Sequence, residues 1–374
     1  MSSKRIIVFD YIRGYLMLVI LLNHLRLYPS FWQYFTGRGD MWISAAEGFF
    51  FVSGIMVGLI RGSEYKKTNN FKLIAKKISS RAFKIYLVFL GSTLAALVLM
   101  GIMNLIGINY APATASVIKI KNINDTLWSF MTLYNIYGWT DFLKFYVIFL
   151  LFSIPMLWLL KIRMWYLVVG LAITFWFIPR LAAFSFDTSY LYWGTYFVLG
   201  LAFGFHYESI KKLYFSMPKK FVILIPAFSI GLLALLISAN WFTNFYKPPK
   251  DSSFINIVKT FTLYNWRSTE FTQIYLHNNR SGILRLPVFL IYANGLFFVF
   301  KYIESFIKDK LDWLLGEMGR NSLRIYVVGA IFTYIFRLWI RDTAFIYNTV
   351  ISGLYILLIL KTSQNKWIKK IVPN

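Results

Sequence analysis

Cysteine is absent from all 374 residues, so the chain has neither a disulfide framework nor a thiol nucleophile. Histidine occurs three times, scattered and without Cys partners, and no dedicated transition-metal site is expected. Acidic residues number 15 against 40 Lys and Arg. Charged residues together make up 15% of the chain, well short of the roughly one quarter usual in soluble domains. What this shortage leaves is a series of long apolar blocks. Each approaches the ~20 residues an α-helix needs to cross the hydrocarbon core of a bilayer. No stretch has the mixed composition of a separate soluble domain.

What the chain has instead is hydrophobic residues at 58% and aromatic ones at 20%, with 37 Phe. The net charge of +25 would suit a nucleic-acid partner. The distribution argues against one, because Lys and Arg stand in short clusters between the apolar blocks. The sequence therefore predicts an all-α, polytopic transmembrane helical bundle of about ten spans, near 6–27, 43–60, 82–106, 141–160, 164–183, 190–206, 220–240, 284–302, 322–340 and 344–361. With the N-terminus inside, 25 Lys and Arg fall in inner segments and 14 in outer ones. That bias predicts an N-in, C-in orientation in the cell inner membrane. The first apolar run lacks a small-residue cleavage site and carries Asp10, Arg13 and His24, so it reads as a retained span. Residues 1–374 form one predicted membrane domain.

Two outer connections are long. In 116–137, Ile120, Ile123, Leu127, Phe130 and Tyr134 recur at helical spacing, which predicts a segment lying in the interface or folded over the helices. The other, about 241–283, carries Pro248-Pro249 and a polar end, and is read as a long extracytoplasmic loop.

Ionisable residues within spans are costly and suggest function. Arg13 and His24 are eleven residues apart, about three turns plus 20°, which puts them on one helix face with an axial separation of roughly 16 Å. Asp10 stands three residues before Arg13, within pairing reach. The alternative is that Arg13 snorkels to the headgroups with Asp10 as its neutraliser. Glu47 begins the second span at the expected depth of His24. A carboxylate there orients an imidazole general base, or it is simply a charge at a helix start. Ser53-Gly54 reads as a close-packing site. At 316–322, Arg320, Asn321, Ser322 and the following Arg324 surround a helix start, an arrangement suited to a phosphate and equally to an ordinary cap. Asp141, Tyr146 and Arg285, near outer helix ends, are candidates for binding an acceptor or for anchoring their helices.

These residues carry a resemblance. Phe9-Asp10-Tyr11-Ile12-Arg13-Gly14 with Asn23-His24 resembles the Arg-x10-His signature of the acyltransferase-3 superfamily. The run from Ala45 to Gly54 resembles the second-helix motif of its OpgC-like branch, with Ser44 where that motif usually has Asp. Asp141 to Tyr146, Trp193 to Gly200, and Gly319-Arg320-Asn321-Ser322-Leu323 are similar, in order, to further family segments, without the Pro of the first and the Gln of the second.

The resemblance implies an enzyme, an O-acyltransferase that moves an acetyl or succinyl group from acyl-CoA to a hydroxyl of an extracytoplasmic glucan or other envelope glycan. Joined to the residue reading, it gives His24 as base and Glu47 as its orienting partner. Asp10, Arg13, Arg320, Asn321, Ser322 and Arg324 would lie along the donor. A transporter or flippase without chemistry is the competing class; such proteins often show two related halves, and no such halves are visible here.

Overall fold

The structure, a computed structural model, describes residues 6–39, 41–105, 141–181, 188–245, 284–339 and 344–372. The expected interfacial segment at 116–137 and the loop beyond residue 245 lie outside the described residues. Among the described residues every regular element is a helix. The main ones are α1 (Ile7–Leu25), α2 (Ala45–Thr68), α3 (Phe71–Leu105), α4 (Asp141–Lys161), α5 (Trp165–Leu181) and α6 (Ser189–Ser216). After them come α7 (Lys219–Phe245), α8 (Arg285–Tyr302), α9 (Glu304–Arg320), α10 (Ser322–Trp339), α11 (Phe345–Ser363) and the short α12 (Lys366–Ile371).

Each of the ten apolar stretches expected from the sequence falls on one of these helices. By length and composition five are long and apolar enough to cross a membrane, within α1, α2, α4, α7 and α11. A sixth arises if α8 and α9, bent by 66° at their junction, count as one broken span. The apolar parts of α5 and α10 are shorter, 165–179 and 322–336.

α1 is the axis of the bundle. It is apolar apart from Asp10, Arg13, Asn23 and His24, as suits a largely enclosed helix, and packs against α2, α8, α9, α10 and α11. Seventy-eight per cent of its span is buried, against 11% for α7, which leans mainly on α8. The outward face of α7, with Ile223, Leu224, Phe228 and Leu235 exposed, suits lipid rather than water.

Two close approaches of backbone fix the bundle. Gly54 and Gly58 on α2 face Gly200 and Gly204 on α6, and a Cβ at any of the four would collide with the backbone of the opposite helix. This is small-xxx-small packing from both sides, in line with the close-packing reading of Ser53-Gly54. The second approach joins α1 to α9. A Cβ on Gly14 would meet the Leu315 carbonyl, and one on Gly319 would meet that of Asp10. Two motif segments, 306 positions apart at Arg13 and Gly319, thus touch backbone to backbone.

Candidate active site

A cavity of about 1940 Å³ runs beside α1. Its wall includes Ile6, Ile7 and Phe9 at one end of that helix and Asn23 and His24 at the other. At 1.5 Å per residue the nineteen residues of α1 span about 28 Å. α2, α4, α6, α7 and α8, Tyr326 of α10 and the α1–α2 connection form the other walls. Pockets for drug-sized ligands measure about 300–1,000 Å³, so this space has the volume for more than one such ligand. The half-buried imidazole of His24 stands at one end, among Asn23, Tyr28, Thr36 and Arg38. The opposite end is lined by Tyr207, Glu208, Lys211, Tyr214, Lys301 and Glu304. Lys301 is bonded to Glu304, while Lys211 is exposed and makes no hydrogen bond or ion pair among the described residues. Between the ends the wall is largely apolar, with Tyr15, Tyr292 and Asn294 as polar exceptions.

Behind the wall at the His24 end lies a buried ion pair. Glu47 and Arg285 have side chains 0% and 1% exposed, and Arg285 Nε donates to Glu47 Oε1. The same oxygen accepts from the hydroxyls of Tyr192 and, at 3.1 Å, Tyr196. Oε2 accepts the Ser44 backbone N–H at 2.7 Å, and Ser44 Oγ accepts that of Ala46 at 3.1 Å, closing a capping box. A buried carboxylate loses so much hydration that it needs this many donors. Glu47 thereby ties the start of α2 to α6 and α8. Among the described residues its hydrogen bonds go to these four groups and none to His24, so the expected carboxylate–imidazole pair is not formed there. Ser44, standing where the related motif has Asp, still supplies the oxygen that caps the helix.

Arg13 is 8% exposed and Asp10 1%. Their carboxylate–guanidinium approach is 3.6 Å, and Arg13 Nε donates at 2.7 Å to the carbonyl of Gly319, to which Nη2 also donates. The guanidinium therefore reinforces the glycine contact between α1 and α9. Arg320 is held by Asp312 through two bonds of 2.8 and 3.0 Å, with Glu317 at 3.8 Å. Arg324 donates to the Val372 carbonyl and to Asn321 Oδ1, both at 3.1 Å, which secures the end of α12 against α10. Asn321 occupies the break between α9 and α10, and Ser322 opens α10; both are 8–9% exposed. None of Asp10, Arg13, Arg320, Asn321, Ser322 and Arg324 lines the cavity. The structure thus groups these six residues as a joint between the ends of α1, α9, α10 and α12, apart from the space that contains His24.

Of the acceptor candidates, Tyr146 is buried within α4 at 7% exposure, and Arg285 is the partner of Glu47. Asp141 is the first residue of α4, and its side chain lies outside the described residues. Sequence reasoning missed Tyr192 and Tyr196. Their i, i+4 spacing on α6 was visible, but among 25 Tyr such a pair carries little signal. It also missed the segment between α1 and α2, which supplies Tyr28, Tyr34, Phe35, Thr36 and Arg38 to the cavity.

The sequence profile of one family, described as OpgC protein, matches residues 5–369. The chain belongs to the OpgC protein family. OpgC membership implies acyltransferase activity, and the family name suggests modification of a glucan in general terms. With the apolar helices it also points to a multi-pass membrane protein. Neither the curated proteins nor the solved structures contain a match to this OpgC chain.

Proposed function

We propose that the chain is an inner-membrane O-acyltransferase that moves an acetyl or succinyl group from cytoplasmic acyl-CoA to a hydroxyl of an extracytoplasmic glucan or other envelope glycan. In this reading the ten helices that coincide with the expected stretches all cross the bilayer with both ends inside, an orientation supported by the Lys and Arg bias. The Lys211 end of the cavity then faces the cytoplasm and the His24 end faces out.

The observation that carries the reading is a single cavity spanning the length of α1 with an imidazole at its far end. The donor enters beside Lys211, whose ammonium meets its phosphates, and its flexible arm extends along the apolar wall. An acceptor hydroxyl enters from the other end. His24 takes the hydroxyl proton as the oxygen attacks the thioester carbonyl. The new C–O bond forms, the C–S bond breaks, and the departing thiolate recovers the proton from the imidazolium. The phosphate-binding role expected of Arg320 and Arg324 passes to Lys211, because both guanidinium groups are already bonded to protein acceptors. Arg13 and Glu47 become positioning residues, holding α1 and α2 on either side of the reacting atoms.

The test is transfer of labelled acyl groups from acyl-CoA in membranes carrying wild type or His24→Ala. Loss of a general base lowers such rates by about 10²–10⁴, and the variant should elute from size exclusion as wild type does. Undiminished transfer in His24→Ala would remove the imidazole from the mechanism.

A further inference from the structure

We infer that the segment between α1 and α2 is a preformed sugar-binding ledge, which receives one pyranose ring of the acceptor on the exposed faces of Tyr34 and Phe35. This rests on the acyltransferase reading for its place in the reaction, though not for the binding itself.

Tyr34 and Phe35 line the cavity mouth, yet each exposes 50% of its surface. Large apolar rings in an interhelical connection would normally turn inward, since their burial is favourable. Here the backbone is fastened so that they do not. The Phe31 N–H donates to Thr349 Oγ1 at 2.9 Å, the Trp32 indole to the Thr349 carbonyl at 3.0 Å, and the Asn348 amide to the Pro29 carbonyl at 3.0 Å. Tyr15, on α1, donates to the Phe35 carbonyl at 2.8 Å. Phe31 supports the Phe35 ring edge-on, with centroids 5.2 Å apart. The segment is thus clamped to α1 and α11 with its aromatic faces outward, a rigid arrangement that lowers the entropic cost of binding.

The groups beside the rings define the ligand. Tyr28 bonds Asn23 Oδ1 at 2.6 Å and Thr36 Oγ1 at 2.8 Å, and the Arg38 guanidinium lies 5.5 Å from the Tyr28 ring centroid. A cavity end that brings two half-exposed aromatic rings together with hydroxyl, amide and guanidinium groups matches a pyranose. Such a ring presents C–H bonds on its faces, polarised to meet the negative face of an aromatic quadrupole, and hydroxyls around its edge. His24 lines the same end of the cavity, so a ring seated there brings a hydroxyl toward the base. A lipid-interface anchor would also expose aromatic rings, but it would not require them beside the cavity end that His24 lines.

The clamp permits a clean test, because its bonds at Phe35 run through the main-chain carbonyl and survive loss of the ring. Tyr34→Ala/Phe35→Ala should weaken binding of a neutral glucan oligosaccharide to the purified full chain by roughly tenfold. It should raise the acceptor KM similarly while the donor KM holds, and Tyr34→Trp/Phe35→Trp should restore both. Transfer with an unchanged acceptor KM in the double alanine variant would overturn the ledge and leave the acyltransferase reading standing. Tight, ring-dependent oligosaccharide binding without any acyl transfer would do the reverse. Equal loss of binding, donor KM and thermal stability would mean that the rings serve only the fold or the membrane surface.

Discussion

Replacing both members of the Glu47–Arg285 pair should destabilise the protein little more than replacing one of them. The side chains are 0% and 1% exposed, so each single alanine variant takes the ion-pair partner from a charge held away from water. The cost of breaking such a pair from one side is about 3–5 kcal/mol. In Arg285→Ala the carboxylate keeps Tyr192, Tyr196 and the Ser44 N–H, so the loss falls at the lower end of that range. Glu47→Ala also removes the capping box, worth about 1 kcal/mol more, and belongs at the upper end. Independent effects would sum to roughly 6–10 kcal/mol. The double variant leaves no stranded charge and should come within about 1 kcal/mol of the milder single one, a large coupling between residues in contact. At about 2–4 °C per kcal/mol, the single variants should melt on the order of 10 °C below wild type in detergent. The assay is a melting series over the four proteins, with Glu47→Gln added because it keeps a side-chain acceptor for the Ser44 N–H. If both single variants melt within about 2 °C of wild type, or the double variant shows their full sum, the pair is not the clamp described here. A shifted pH–rate profile in a fully stable Glu47→Gln protein would instead restore a direct carboxylate–imidazole partnership.

Two further outcomes follow from the packing and the cavity. Gly200→Leu would push a side chain into the carbonyl of Phe51; overpacking of this kind costs about 1–3 kcal/mol or more, and should appear as polydisperse size-exclusion profiles, whereas Gly231→Leu, where no atom lies within 4 Å of the added Cβ, should elute as wild type. Lys211→Glu should raise the donor KM roughly tenfold, equivalent to about 1.4 kcal/mol, with a salt dependence weaker than that of wild type; a donor KM unmoved by the reversal would take the phosphates elsewhere.

The helices were legible because enclosure in apolar surroundings demands apolar residues all round, and that signal is local. The same locality explains what stayed hidden. Glu47 and Arg285 lie 238 positions apart, and nothing in either neighbourhood announces the other; each alone resembles a charge at a helix start. Helical periodicity placed Arg13 and His24 on one face but not the neighbour each would meet, and α9 covers the first while the cavity opens beside the second. Arg320 and Arg324 near a helix start look alike whether a phosphate or a protein oxygen awaits them. The difference is made by Asp312, eight residues upstream, and by the carbonyl of Val372 at the far end of the chain. Ser53-Gly54 was read as a close-packing site, but Gly58, Gly200 and Gly204 were not, and the pairing of the four glycines needed coordinates. The aromatic ledge gave no periodic signal, since its exposure depends on anchors drawn from α1 and α11.

In the proposed reaction one cavity joins a donor on the N-terminal side of the membrane to an acceptor on the other. This arrangement is tested most directly in proteoliposomes sorted by orientation, with labelled acyl-CoA confined to the side that exposes the N-terminus and glucan confined to the opposite side. Labelled ester should form on the glucan without the donor crossing. Ester that appears only when donor and acceptor share a compartment would contradict it.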